Sequence, residues 1–294
     1  MKALTKRFWQ ALLSASEGLY DSNCFSIAKG VAYSALLSFF PLLTTLAAVL
    51  VQARADEVSH TIASFLFEVV PPGTEDVVRA LFVVHGRRPA TLLAVAVVLA
   101  AWAASGAILS LMEGFREIYN IPSGRGWLRD RGVAILLVIA TVGPMWCASA
   151  LIVFGSRAER VVTSWMGLLP AGADLTGGVQ LLGELLRFGV AFGSFVLVSA
   201  LIYYFGPNRK QSFRVVFPGA VLATVLWLAA TLAFGAYVRY VANYNVLYGS
   251  VGAGLALLVW MYVLSVITLF GCEFNAVRER RSAVPQGATG AKIA

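Results

Sequence analysis

The sequence predicts an all-α fold, a polytopic membrane helix bundle with about six transmembrane helices plus short amphipathic helices. Three observations predict it. Of 294 residues, 59% are hydrophobic and 13% charged, against about 25% charged in an ordinary soluble domain. Mean hydropathy is +0.78, as expected where the outside of a protein faces hydrocarbon as the inside does. Six apolar runs of roughly 20 residues, each long enough to cross about 30 Å of hydrocarbon as a helix, follow one another along the chain.

The first element precedes the spans. Leu4, Phe8, Leu12, Ala15 and Leu19 recur at helical spacing beside Lys2, Lys6 and Arg7. This reads as an amphipathic helix on the membrane surface, within a segment 1–29. No uninterrupted apolar core and small-residue cleavage site follow the basic start, so it is not read as a secretory signal. The spans then run over Gly30–Val51, Thr91–Leu111, Gly132–Phe154, Phe188–Phe205, Val215–Tyr237 and Gly249–Phe270, within a membrane domain 30–277. Two long connections lie between the first and second and between the third and fourth spans. Ile62, Phe65, Leu66 and Val69, then Val77, Val78, Leu81 and Phe82, then Leu181, Leu182, Leu185 and Leu186 form apolar stripes in them. Capping amphipathic helices, re-entrant helices and plain extramembrane hairpins are all open readings of these stripes. The small and polar tail, 278–294, is expected to be disordered.

Orientation follows from charge. Fifteen of the 23 Lys and Arg fall before the first span, between spans two and three, between four and five, and after six. The alternate side has eight, spread over longer loops. The positive-inside rule therefore places both termini in the cytoplasm. It also accounts for the net charge of +8, so nucleic acid is not needed as a partner; membrane lipids are the partners expected.

Chemistry is sparse. Cys24, Cys147 and Cys272 lie far apart with no CxxC spacing, which suits neither a disulfide framework nor a zinc site. The two histidines, His60 and His85, fall in the first long loop. No HExxH or phosphate-binding glycine loop occurs, and a serine without a histidine partner has no base. An enzyme is not expected, nor any cofactor.

Polar residues at the spans are the remaining candidates, since polarity in a membrane is costly and often functional. Glu113 and Glu117 share a face at the end of the second span, and Arg116 is placed to pair with Glu113. They read as a helix end emerging into water or as a charged gate. Tyr33 and Pro41 mark the first span, where Pro41 removes a backbone bond and is expected to kink the helix. The kink suits packing or a discontinuous, site-building helix. Gly189 and Gly193 make a GxxxG packing face. Arg239, Asn243, Asn245 and Tyr248, between the last two spans, suit a head-group site, the lining of an outer vestibule or interfacial anchoring. Glu273 follows the last span, with Arg278 one turn later as a possible ion-pair partner.

An ordered set of motifs accompanies these. Ala32-Tyr-Ser-Ala-Leu-Leu-Ser-Phe-Phe-Pro41 is followed by Tyr204-Phe-Gly-Pro-Asn-Arg-Lys210, Phe217-Pro-Gly-Ala220, Tyr248-Gly-Ser-Val-Gly-Ala253, Trp260-Met-Tyr262 and Gly271-Cys-Glu-Phe-Asn275. From about Phe25 to Val277 the chain resembles the YihY/BrkB-like family of bacterial inner-membrane proteins. Phe205-Gly206 before Pro207-Asn208-Arg209 is a small departure from the family pattern. The resemblance implies a six-helix protein of the bacterial inner membrane, linked in some members to virulence and discussed as a transporter. It also carries a ribonuclease label, which the lack of a metal-binding residue cluster argues against. No catalytic set is carried over. Pro207, Asn208 and Arg209 read structurally, with Pro207 stopping the helix, Asn208 bonding the turn and Arg209 meeting the anionic inner leaflet. Phosphate recognition is the other reading of Asn208 and Arg209.

Three functions are therefore expected in order: a transporter or lipid-handling protein for an anionic lipid or small solute of the envelope, a non-transporting scaffold of the envelope, and, last, a membrane-bound ribonuclease.

Overall fold

A computed structural model describes residues 2–52, 90–122, 125–165, 177–240 and 249–283. Among these residues every regular element is a helix. They are α1 (Lys2–Asp21), α2 (Cys24–Gln52), α3 (Ala90–Ile118), α4 (Trp127–Trp165), α5 (Gly177–Phe205), α6 (Phe213–Tyr240) and α7 (Gly249–Ala283). Five of them, α2, α3, α5, α6 and α7, are long and apolar enough to cross a membrane. The remaining expected span, Gly132–Phe154, lies inside the 39-residue α4 and holds no Asp, Glu, Lys or Arg.

The breaks between helices have local causes. Asn23 adopts φ 49° between α1 and α2, a left-handed conformation that Asn tolerates better than most residues. Helix α3 stops at a Schellman motif: Ile121 N–H donates to Arg116 C=O at 2.9 Å and Asn120 N–H to Glu117 C=O at 3.1 Å. Asn120 supplies the left-handed residue at φ 51° that the motif requires. Helix α5 stops where Pro207 follows Gly206, because proline cannot continue the hydrogen-bond ladder. Helix α2 continues through Pro41 and α6 through Pro218.

The helices pack as a ring. Helix α2 lies against α3, α3 against α4, α4 against α5, α5 against α6, α6 against α7, and α7 returns to α2. Helix α1 lies across the end of α7 and touches α2. We call this end the base; it holds α1, the turns after α3 and α5, and the last turns of α7. At the base the ring closes on a core that includes Phe115, Ile118, Tyr203, Val216, Ala220, Leu269 and Cys272. Towards the other end the core thins. Helix α6 buries Val216, Gly219, Ala220, Ala223 and Thr224, then no residue from Val225 to Tyr237. Helix α7 buries every residue from Gly271 to Val277 but only Ala256 between Gly254 and Val263.

Several expectations change here. The α1 stripe is not left for lipid: Ala15 and Leu19 are buried, and Phe8 meets Phe274 edge-on at 5.7 Å. The α1 face left open carries Trp9, Leu13 and Tyr20 instead. Helix α7 runs on to Ala283, so Arg278, Arg280 and Arg281 are helical residues and not part of a disordered tail. Leu181, Leu182, Leu185 and Leu186 belong to α5 itself, not to a separate short helix. The two other stripes, at Ile62–Val69 and Val77–Phe82, lie outside the described residues.

Candidate functional site

The motif residues converge at the base. At Pro218 the α6 backbone has no N–H to donate, and the ladder is disturbed one turn from the helix start. The next donor, Gly219 N–H, binds Asn275 Oδ1 at 2.7 Å. Asn275 Nδ2 donates to Val216 C=O at 2.9 Å. One buried amide thus ties α7 to the opening of α6 through two backbone groups. Glycine is required at 219: a methyl there would overlap the Gly271 carbonyl and the Asn275 side chain. Tyr203 of α5 completes the junction, donating its hydroxyl to Thr268 C=O at 2.7 Å and packing edge-on against Phe115 at 5.6 Å.

The turn after α5 is held from outside its own helix. Arg125 donates to Phe205 C=O at 3.0 Å, to Pro207 C=O at 3.2 Å and to Asn208 Oδ1 at 3.1 Å. Gln211 donates to Tyr204 C=O at 3.2 Å. A cation and an amide so placed satisfy carbonyls that the helix end leaves open and complement its negative dipole end. Arg209 turns inward: it pairs with Glu279 and lies over the Tyr119 ring at 4.2 Å. Burial pushes the Tyr119 phenol above its ordinary range, while the Arg209 charge pulls the other way.

Glu273 is the buried charge of the base. It is 0% exposed. Its Oε1 accepts from Arg280 Nη1 at 3.2 Å, and Arg280 also donates to Ile118 C=O at the end of α3. Its Oε2 is buried without a hydrogen-bond partner. The α1 backbone covers the carboxyl at Gly18, where any side chain would overlap it.

The expected pairings are corrected accordingly. Glu273 pairs with Arg280, not Arg278; Arg278 lies over the Phe274 ring at 5.8 Å. Arg116 pairs with Asp130 at 2.9 Å, not with Glu113, because α4 starts alongside α3 and offers a carboxylate from outside the helix. Glu113 and Tyr33 are exposed, and Pro41 lies within α2. None of these three joins the base cluster in the contacts described. Arg239 lies in the last turn of α6; its side chain, and Asn243, Asn245 and Tyr248 as a whole, lie outside the described residues.

The sequence reading missed Arg125, Asp130, Gln211 and Arg280 as members of the cluster. Each sits in a turn or helix end where no periodicity marks it. The one available signal was that helix ends need partners for their last carbonyls. Among the described residues no group of three or more His, Cys, Asp and Glu side chains is placed to hold a metal ion.

Comparison with known proteins agrees with this assembly of motifs. The family model described as Virulence factor BrkB matches residues 15–292. A protein named ribonuclease-like, YfkH, of Bacillus subtilis (strain 168) is 31% identical over 261 residues, covering 87% of this chain and 90% of its own. A UPF0761 membrane protein of Pseudoalteromonas translucida (strain TAC 125) is 26% identical over 249 residues, covering 84% of this chain and 78% of its own. A UPF0761 membrane protein of Vibrio vulnificus (strain YJ016) is 28% identical over 252 residues, covering 85% and 76%. No solved structure matches. The chain is an integral membrane protein and belongs to the Virulence factor BrkB family.

Proposed function

We propose that the protein moves or presents an anionic lipid or small solute of the cell envelope, from the bacterial inner membrane, with its base in the cytoplasm. The observation that carries this reading is the unequal packing of the ring. Its helices are knitted together at the base, and towards the far end α6 buries no residue from Val225 to Tyr237 and α7 only Ala256 between Gly254 and Val263. A ring closed at one end and loosened at the other suits a substrate that enters between helices; midplane sites between helices are a common transporter design. The orientation is supported by the basic count, since the Lys and Arg of the denser side that lie among the described residues map to the base.

The test is reconstitution of purified full-length protein into vesicles of phosphatidylglycerol and phosphatidylethanolamine. Protein-dependent flux of a fluorescent anionic lipid or a labelled sugar phosphate is the expected result. No flux above empty vesicles for either class would sink the reading.

A second reading has its own observation. Arg125, Arg209, Arg280 and Asn275 cross-brace α3, α5, α6 and α7 at the base, and such a rigid platform would suit a scaffold that moves nothing. A non-enzymatic role is part of both proposals. The ribonuclease-like name of the Bacillus relative bears on this chain through one measurement: RNA cleavage that survives purification and stops on metal removal would displace both.

A further inference from the structure

Arg125, Gln211, Glu273 and Glu279 each keep a buried side-chain atom without a hydrogen-bond partner at the base, and of these Glu273 is the one that is 0% exposed. A carboxylate has two oxygens, each able to accept more than one hydrogen bond. Buried carboxylates are therefore normally bonded on both. Glu273 is bonded on one oxygen only, by a single N–H of Arg280, and its Oε2 is enclosed without a partner. The Arg280 side chain is 52% exposed, so water shares its charge and the buried acid is only partly compensated.

The groups around it come from each neighbouring helix. Asp21 ends α1 and Cys24 opens α2, both within electrostatic reach of Glu273, and Glu117 of α3 acts on Cys24. On α7 itself lie Arg280 and the buried Cys272, and Tyr119 and Arg209 act on Cys272. Two nearby acids and one half-hydrated arginine leave no second cation for Oε2 among the described residues.

The lid is α1. Its residues Ala11 and Ala15 pack on Phe274 and Val277. Its backbone is pinned by Arg281, which donates to Gln10 C=O at 3.1 Å and to Ser14 Oγ at 2.8 Å. Gly18 brings the α1 backbone down onto the Glu273 carboxyl. The opposite face of α1 carries Trp9 and Tyr20, 62% and 79% exposed, next to Lys6 and Arg7, as suits an element that also meets a membrane surface.

We propose that Glu273 is a proton-binding site, occupied on Oε2 when α1 is docked and emptied to the cytoplasm when α1 lifts. A proton on Oε2 removes the uncompensated charge. Docking removes the water that would otherwise stabilise the ionised form. The two events therefore reinforce each other: acid favours the docked helix and base favours the lifted one. No bond other than O–H is made or broken, and the proton goes to water. The inference is independent of transport, because it is read on the protein itself.

The experiment uses full-length protein in nanodiscs. Infrared spectra taken from acidic to basic pH should contain a protonated-carboxyl band that vanishes at the basic end and is missing from E273Q. Spin labels at S16C and S282C, in a background with the native cysteines replaced, report docking. The docked-to-lifted ratio should fall at least about threefold from acid to base, a shift of roughly 0.7 kcal/mol, and E273Q should hold the helix docked throughout. In R280Q, which removes the counter-charge, the band should persist to higher pH. A docked fraction that titrates identically in E273Q, or no E273Q-sensitive band at any pH, overturns the proposal. So does a band or docked fraction that follows sodium concentration at fixed pH. If E273Q does not fold, the wild-type band and its shift in R280Q decide the matter.

Discussion

At Pro218 the α6 backbone loses a donor, and Asn275, more than fifty residues away in sequence, accepts the neighbouring one. That exchange makes Asn275 costly to change. In N275A the Gly219 N–H loses its buried acceptor, and an unsatisfied buried group costs about 1–3 kcal/mol. We expect N275A to unfold at least about 5 °C lower in detergent, roughly what 1–2 kcal/mol does to a protein of this size. A midpoint unchanged from wild type would show the amide to be dispensable. The two arginines near Glu273 separate in the same way. R280A strips a buried carboxyl of its partner, whereas R278A removes a cation from over an aromatic ring. R280A should therefore be the more destabilising by about 1 kcal/mol or more, as measured by their unfolding midpoints. Sequence spacing favoured Arg278, one turn beyond Glu273. The longer reach to Arg280 is chosen because Arg280 can also cap the end of α3 through Ile118 C=O.

Among the elements, α1 shows how a correct periodicity can be assigned to the wrong partner. Leu4, Phe8, Leu12, Ala15 and Leu19 do make one helical face, but Ala11, Ala15 and Leu19 are buried in the protein. Hydrophobic spacing says that a face will be covered and not by what, because lipid and a neighbouring helix satisfy it equally. The small residues were the hint: Ala11, Ala15 and Gly18 permit an approach that bulky residues would prevent. G18L is expected to force α1 off α7 and expose Cys24, now buried. Its maleimide reaction at fixed pH should then speed up by about tenfold, since access governs thiol reactivity as thiolate content does. The turn after α5 gives a second element-level expectation. R125A leaves three acceptors at the helix end to water or to nothing, and should lower stability by about 1 kcal/mol, visible as earlier exposure of residues 206–211 in hydrogen exchange.

At the scale of the molecule, α1 and the last turns of α7 meet at the base, where Arg281 of α7 reaches Gln10 and Ser14 of α1. A reporter fused after Ala294 should be active only when it is one that works in the cytoplasm; activity of a periplasmic reporter there would reverse the orientation. The burial gradient along α6 and α7 has a whole-molecule consequence as well. Hydrogen exchange should be slowest in the basal halves of both helices and faster beyond Thr224 and before Leu264, since local opening follows local packing.

The sequence by itself determined the fold class, the approximate spans and the family, because length, hydropathy and ordered motifs are local properties that need no partner to be read. It also singled out Pro207, Asn208, Arg209 and Glu273 as candidate positions. What they touch was decided only in the tertiary structure. Arg125 reaching Asn208, Asp130 taking Arg116, Asn275 holding Gly219 and Arg280 holding Glu273 all join residues from different helices or distant turns. In a membrane bundle apolar surface does little to select neighbours, since lipid is as apolar as a helix. Backbone groups freed at helix ends and prolines do select them, and those partners are set by how helices meet, which no single stretch of sequence records.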